Sequence, residues 1–370
     1  MTTHTDKLEV AIVGCGKIAD AHVEEIGKIP FARVIAVCDR ELLMAEQLGR
    51  RYGILRCFND FTKLLEQTRP DVVHITTPPQ SHVPLALQSI DAGCHVYIEK
   101  PFAPTRDDCA RVIAHAQRSG RVVTVGHSFA FDPLTIELRR LRDDGFLGET
   151  VHVESHLGYN LSGPFGATLM GDRAHWVHGL PGKLFQNNID HVLHKIEDFI
   201  PEDAPRILAR ATRRLPAGFG DERDHMMDEL RVMLEGRRAT AFGSFSSHAL
   251  PVRHYARVWG TRNTVTADYT SRVLVVEQGE NYPSAIGRLL PAFAQARQYA
   301  RGGFKNVRRF MKSEFQFFVG MNELFQRFYH SIAEGSPPPI AYDRILRVAG
   351  WMDDIFAQVN AELPPRVDAR

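Results

Sequence analysis

An excess of charge of either sign is missing from this chain: 45 Lys and Arg stand against 44 Asp and Glu, a formal net charge of +1. That balance argues against a nucleic-acid binder, whose surface must neutralise many phosphates. Long apolar runs are missing too, so no segment is expected to span a bilayer. The leading stretch MTTHTDKLEVAIVG is polar before a short apolar run, without the basic, long-apolar, small-residue layout of a signal peptide. Cysteine is scarce. The five present, Cys15, Cys38, Cys57, Cys94 and Cys109, are odd in number, lack zinc-finger spacing and all precede residue 110. Reduced thiols in a cytoplasmic setting are therefore expected, not a disulfide framework. No repeat array or low-complexity tail stands out. What remains, 44% apolar and 24% charged over 370 residues, is the composition of a globular chain longer than one core usually takes, and two domains are expected.

The first third alternates strand and helix signals. LEVAIVG is an apolar run ending at glycine, and KIADAHVEEIGKI places Ile18, His22, Ile26 and Ile29 on one helical face. RVIAVCD, DVVHITTPP, HVYIEKP and RVVTVGH read as further strands. Between them ELLMAEQLGRRYG, SHVPLALQSIDAG and TRDDCARVIAHAQRSG read as helices. Such alternation predicts a parallel sheet covered by helices on both faces.

GCGKIA, Gly14 to Ala19, joins the first strand to the first helix. Gly14 allows the tight turn, Gly16 lets the backbone approach a pyrophosphate, and the helix start offers oriented N–H groups to the anion. About 20 residues on, Asp39 ends the second strand, where an acid accepts hydrogen bonds from a ribose 2′-hydroxyl and repels a 2′-phosphate. NAD is expected from Asp39. The neighbouring Arg40 leaves NADP open, because a guanidinium pairs well with phosphate.

GCGKIA, VCDR, ITTPPQSH and above all IEKP resemble the Gfo/Idh/MocA oxidoreductases, named for glucose-fructose oxidoreductase and inositol dehydrogenase. The resemblance covers residues 8 to 133 and thins beyond. It implies cofactor contacts from Gly14, Gly16, Lys17, Ile18, Asp39, Arg40, Thr76, Thr77, Pro78, His82, Glu99 and Lys100. It also implies that Lys100 touches the reacting substrate oxygen. Charges at Glu99 and Lys100 are then tolerated because they face a cleft at the carboxyl ends of the strands, where ligands of open α/β sheets bind.

After Gly126 the pattern changes. DPLTIELRRLRDDGFLG reads as a linking helix and ETVHVESHLG as a strand, and the later DELRVMLE, RRATAFGSFSS, YARVWGTRNTVTADY and SRVLVVEQG read as strands without intervening helices. The expected architecture is an α/β fold: a Rossmann dinucleotide-binding domain over 1–126 and an α+β domain over 127–370 built on a largely antiparallel open sheet. The final helix is free to pack back on the first domain. In the resembled family the second domain binds substrate and serves oligomerisation, so a homo-oligomer is expected.

LPGKLFQNNIDHVLHKIEDFI falls where that family often carries D-x-G-x-H-x-x-D on a helix. Aligning on histidine puts Asn187, Ile189, His191 and His194 at the four positions, and three depart from the pattern. His191 is then the acid/base, with Asn187 and His194 lining the substrate pocket at helical spacing. A shift of one residue gives the acid/base role to Asp190 instead. His127, in VGHSFAFDP, is a further pocket-lining candidate. His175 and His178 of HWVH with His191 and His194 of HVLH could ligate a metal if helical and facing, but nicotinamide chemistry needs none and no metal is expected.

Between 284 and 312 lie Arg288, Arg297, Arg301, Lys305, Arg308, Arg309 and Lys312 with no acid among them, interleaved with Leu289, Leu290, Phe293, Tyr299, Phe304 and Phe310. A solvated basic face, a site for a sugar-nucleotide diphosphate, a subunit contact and peripheral contact with an anionic membrane all fit this pattern. The function expected is hydride transfer between NAD(P) and a secondary alcohol or ketone of a sugar, cyclitol or sugar nucleotide. Two alternatives stand beside it: transient oxidation by retained NAD leading to elimination or glycosidic cleavage, and a non-catalytic NAD(P)-binding sensor or scaffold.

Overall fold

The computed structural model describes residues 7–161, 163–172, 174–214, 226–279, 283–312 and 319–361. It divides into two compact units, Met1–Phe131 with Phe318–Ala349, and Asp132–Phe317 with Gly350–Arg370.

In the first unit the chain runs β1 (Leu8–Val13), α1 (Lys17–Gly27), β2 (Ala32–Cys38), α2 (Leu42–Tyr52), β3 (Arg56–Phe58) and α3 (Phe61–Thr68). It continues through β4 (Val72–Ile75), α4 (His82–Asp91), β5 (His95–Ile98), α5 (Arg106–Arg118) and β6 (Val123–Val125). The strands form one sheet in the order β3-β2-β1-β4-β5-β6, every pair parallel. This is the doubly wound order of a dinucleotide-binding domain. Helices cover both faces, which is why VAIV in β1 and VVHI in β4 are buried along their whole length instead of alternating. Side chains fix the helix starts: Asp60 accepts the Lys63 N–H before α3, and Thr105 accepts the Asp108 N–H before α5.

The second unit runs α6 (Pro133–Asp143), β7 (Thr150–Gly158), α7 (Pro164–Gly171), α8 (Lys183–Gln186), α9 (Asp190–Glu197), β8 (Arg206–Thr212) and β9 (Glu229–Glu235). After these come β10 (Thr240–Ser246), β11 (His254–Gly260), β12 (Asn263–Asp268), β13 (Val273–Gln278) and α10 (Ser284–Met311). Its sheet has the order β13-β12-β11-β7-β10-β9-β8. All pairs are antiparallel except β7 with β10. α9 lies on this sheet where Gly243 makes room for Val192 and Ile196.

Two helices close the described chain, α11 (Met321–Glu334) and α12 (Tyr342–Ala361). The sequence expectation divides the chain once, between 126 and 127. In the structure α11 returns to the first unit, because Leu324, Phe325, Phe328 and Tyr329 form one apolar stripe that joins the core over the parallel sheet. The division between the units falls inside α12. Each edge of the second sheet is covered by a glutamine amide. On β8, Gln358 accepts the Ala209 N–H at 2.9 Å and donates to Ile207 O at 3.0 Å; on β13, Gln298 accepts the Val276 N–H at 2.8 Å and donates to Val276 O at 2.9 Å. Both edges are thereby closed to further strand pairing at those points.

Candidate active site

Five chain segments leave the parallel sheet at one level. The N–H groups of Asp39, Gly14, Thr76, Glu99 and Gly126 donate to Phe58, Cys38, Val13, Ile75 and Ile98 at 3.0, 2.8, 2.9, 2.9 and 2.7 Å. The first residues beyond β2, β1, β4, β5 and β6 thus form a row along the carboxyl edge, where open α/β sheets take their ligands. A separate cavity of about 590 Å³ opens among Leu8, Asp71, His95 and Arg121, at the amino ends of the same strands, and so lies at the wrong edge for that role.

Gly14 has φ +97°, and a Cβ there would stand 2.8 Å from the Thr76 carbonyl carbon; only glycine fits. The Thr76 hydroxyl braces the same turn, 2.5 Å from Gly14 O. Asp39 closes it from the other side, one carboxylate oxygen accepting the Cys15 N–H at 2.7 Å and the other the Glu41 N–H at 3.0 Å. At Gly16 an added side chain would meet no atom within 4 Å, and α1 has no side-chain cap. The leading N–H groups of α1 therefore face open space suited to a pyrophosphate. Lys17 is exposed and Ile18 half-buried beside them. The residues present fit a dinucleotide, with Asp39 half-buried and Arg40 exposed just beyond β2.

Beyond β4, Thr77 is half-buried, its hydroxyl accepting from Ser81 at 2.7 Å, and Pro78 is exposed. His82 is fully buried. Its ring nitrogens lie 2.8 Å from Thr77 O and 2.9 Å from Pro101 O, tying the segment after β4 to the segment after β5. Burial pushes its pKa down, the two carbonyls opposing, and a neutral ring donates to one of them only.

Glu99 and Lys100 follow β5, and the Lys100–Pro101 peptide is cis. The Glu99 carboxylate, 12% exposed, receives the Lys100 N–H at 3.3 Å and lies 3.0 Å from His22 Nε2 on α1. His22 Nδ1 lies 2.9 Å from His74 Nδ1 on β4, and His74 Nε2 lies 2.9 Å from the Tyr329 hydroxyl on α11. His74 stacks on Tyr97 with ring centroids 4.6 Å apart. Because an ionised carboxylate only accepts, the proton order is fixed from that end. Tyr329 donates to His74, His74 through Nδ1 to His22, and His22 through Nε2 to Glu99. Burial holds His74 well below the usual histidine pKa, which keeps it neutral as this order requires. Burial works to raise Glu99, but the hydrogen bond from His22 and the charge of Lys100 bring it below the usual carboxylate range. Gly126 completes the pocket around this carboxylate: a Cβ there would stand 2.8 Å from Oε1. His127, next along, is buried at 5% exposure, in the first unit's wall and not on its surface.

In the second unit, Asp190 is 1% exposed and accepts the His191 N–H at 2.8 Å, starting α9. His191 is half-buried and His194 buried. Asn187 caps α8 and stands outside α9, so the helical spacing expected for Asn187, His191 and His194 does not extend across all three. The Asn188 amide, turned back to Leu184 O at 2.8 Å, accompanies the break. Lys195, four residues beyond His191, is buried at 3% exposure, donates to His191 O and lies 5.0 Å over the Tyr269 ring. Burial brings its pKa down to about 7 against the pull of Asp132, Asp190 and Asp198. His254 on β11 is lowered well below the usual range by burial, with Lys195 and His191 adding their charges. His178 turns to Leu169 O at 2.9 Å, and His175 accepts the Val177 N–H at 3.4 Å. Among the described residues no three His, Cys, Asp or Glu side chains converge as a metal site requires.

Sequence reasoning missed His22, His74 and Lys195. Each left a signal: a histidine within the apolar stripe of α1, another in the otherwise apolar VVHI, and a lysine one helical turn from His191.

A doubly wound parallel sheet with a glycine turn, a bracing acid and a charged pair after β5 defines a dinucleotide-binding domain. Residues 8–127 match the Gfo/Idh/MocA family model, described as "Oxidoreductase family, NAD-binding Rossmann fold". Among curated relatives, D-glucoside 3-dehydrogenase of Escherichia coli (strain K12) is 35% identical over 145 residues, 38% of this chain and 41% of that protein. Inositol 2-dehydrogenase of Salmonella paratyphi B is 32% identical over 158 residues, 42% of this chain and 47% of its own. The chain thus matches less than half the length of these relatives. Over the full fold, the WlbA dehydrogenase from Bordetella pertussis, solved with NADH and UDP-GlcNAcA, superposes with a TM-score of 0.78 at 16% identity, covering 98% of each chain. At that identity the likeness is one of fold.

Proposed function

We propose that this protein is an NAD-dependent dehydrogenase or reductase acting on a secondary alcohol, or the matching ketone, of a sugar, cyclitol or sugar nucleotide. The observation that carries the reading is the fixed place of Glu99 and Lys100 at the carboxyl edge, in one row with the glycine turn and Asp39. The relatives' names, a glucoside and an inositol dehydrogenase, together with the UDP-sugar bound to the WlbA enzyme, support the substrate class.

NAD, when bound, supplies the hydride acceptor. Gly14, Gly16 and the start of α1 hold the pyrophosphate, Lys17 and Ile18 flank it, and Asp39 takes the ribose hydroxyls. Thr76, Thr77 and Pro78 would line the cofactor, and His82 joins that segment to the one carrying Lys100. Carbon releases hydride readily only as its hydroxyl loses a proton. Lys100 stabilises the developing oxyanion, and we assign the proton to His191 as general base. Asp190, buried and accepting the His191 N–H, holds the start of α9 in this reading. Lys195 steadies His191 through its carbonyl. His127, Asn187 and His194 shape the surroundings of the substrate without touching the proton.

The test is a screen of sugars, cyclitols and UDP-sugars with NAD, followed at the nicotinamide absorbance and by mass spectrometry of products. A ketone product with stoichiometric NADH supports the reading. Tight NAD binding without turnover on any member of these classes contradicts it.

A further inference from the structure

α10 is built inside out. The residues it turns to its own sheet are polar or small: Gln298 pairs with Val276, Asn306 donates to Ser271 O at 2.7 Å, and Gln295 donates to Glu277 at 3.1 Å. Gly302 sits where a Cβ would stand 2.6 Å from the Val273 side chain. The apolar residues point outward. Leu289 is 60% exposed, Phe293 67%, Phe304 79% and Met311 80%. At 3.6 residues per turn, Leu289, Phe293, Ala300, Phe304, Val307 and Met311 share an arc of about 60° opposite Gln298, Gly302 and Asn306. A helix serving only its own domain turns that arc inward.

The flank of the arc carries charge of one sign. Arg297, Arg301, Lys305, Arg308 and Lys312 follow it along one side, and the stretch from 284 to 312 holds seven basic residues and no acidic one in a chain whose net charge is +1. Two copies of this helix packed antiparallel, face to face about a two-fold axis, would bring their basic flanks together, which is unfavourable. A surface that is apolar beneath and anionic above satisfies both parts of the pattern at once. We propose that α10 rests in the plane of an anionic lipid bilayer, its phenylalanines in the headgroup-to-acyl boundary and its arginines on lipid phosphates. The contact is peripheral: among the described residues no helix is long and apolar enough to cross a membrane.

The experiment is flotation of the whole protein with vesicles of phosphatidylcholine alone and of phosphatidylcholine mixed with phosphatidylglycerol. Three proteins are compared: the parent, Phe293→Glu/Phe304→Glu, and Arg297→Glu/Arg301→Glu/Arg308→Glu. The parent is expected to float with the phosphatidylglycerol vesicles only and to be released by salt, with both variants bound at least roughly tenfold more weakly. Unchanged NAD binding and thermal unfolding show that the variants are folded, as expected for substitutions at exposed positions. A parent that stays in the supernatant overturns the proposal, and so does a phenylalanine variant that floats like the parent. A dimer in gel filtration that dissociates in the phenylalanine variant, without vesicle binding by the parent, overturns it in favour of a second copy. Retention on an acidic protein without vesicle binding overturns it in favour of that partner class.

Discussion

His22 Nε2 lies 3.0 Å from Glu99 Oε1, at the head of a buried file that runs through His74 to Tyr329. The file links α1, β4 and α11 to the residue beside Lys100. It explains why an acid persists at the end of a buried strand: Glu99 has a donor in the core and a second in the Lys100 N–H. The first prediction follows. His22→Ala leaves the carboxylate without its core donor, an omission that costs about 1–3 kcal/mol. Because Glu99 titrates below the usual range when folded, its stabilising contribution is present above that range and is lost as pH falls through the lowered value. In His22→Ala the carboxyl loses that hold, and the acid limb of thermal stability should begin at higher pH than in the parent. Melting curves from neutral to acid pH check this.

Gly126 gives a steric test of the same arrangement. Gly126→Ala places a Cβ 2.8 Å from Glu99 Oε1, and the resulting overpacking should cost about 1–3 kcal/mol and lower kcat. Gly27→Ala, where a Cβ meets nothing within 4 Å, is the control and should leave both unchanged or slightly improved. Thermal unfolding and steady-state rates of the two variants decide.

Most of the first unit was legible because each signal is local, whereas the three-residue β3 and the short α3 are too brief to show a period and were not read. Strand ends, glycine turns and Asp39 follow one another in sequence, and the parallel sheet leaves little freedom once its strands are found. The place of α11 was not legible: its stripe of Leu324, Phe325, Phe328 and Tyr329 says only that the helix is half buried, and any apolar surface would serve. His22 and His74 lie 52 residues apart, and nothing local pairs them. The glycine turn and the charged pair were legible at the candidate site. The break between α8 and α9 was not, since NNIDHVLH has helical spacing throughout and neither glycine nor proline marks the turn.

Cofactor choice turns on Asp39. Asp39→Asn keeps an acceptor for the Cys15 N–H while removing the charge that repels a 2′-phosphate, so the preference for NAD over NADP should narrow by about tenfold, or about 1.4 kcal/mol. Calorimetric titration of parent and variant with both cofactors measures it, and a parent that prefers NADP would show Arg40 in control.

Lys195 makes the stability of the second unit rise with pH, the same direction as Glu99 but in an alkaline window and through relief of a burial cost. Its folded pKa is about 7 against an ordinary value of 10.5. Between these values the unfolded chain holds the extra proton, so stability rises with pH through that window and the cost of burying the ammonium is fully felt below it. Lys195→Met should therefore gain most over the parent near pH 6 and least near pH 9. Paired melting temperatures at the two pH values check the sign.

Lys100 carries the central claim. The decisive measurement is kcat for Lys100→Met beside its dissociation constant for NAD, on an alcohol that the parent oxidises. A loss of about a hundredfold to a thousandfold in kcat with NAD affinity nearly unchanged is the predicted result, since a group that meets the developing oxyanion acts mainly in the transition state. Full turnover in Lys100→Met, or a fall in rate explained wholly by lost NAD binding, would contradict the account.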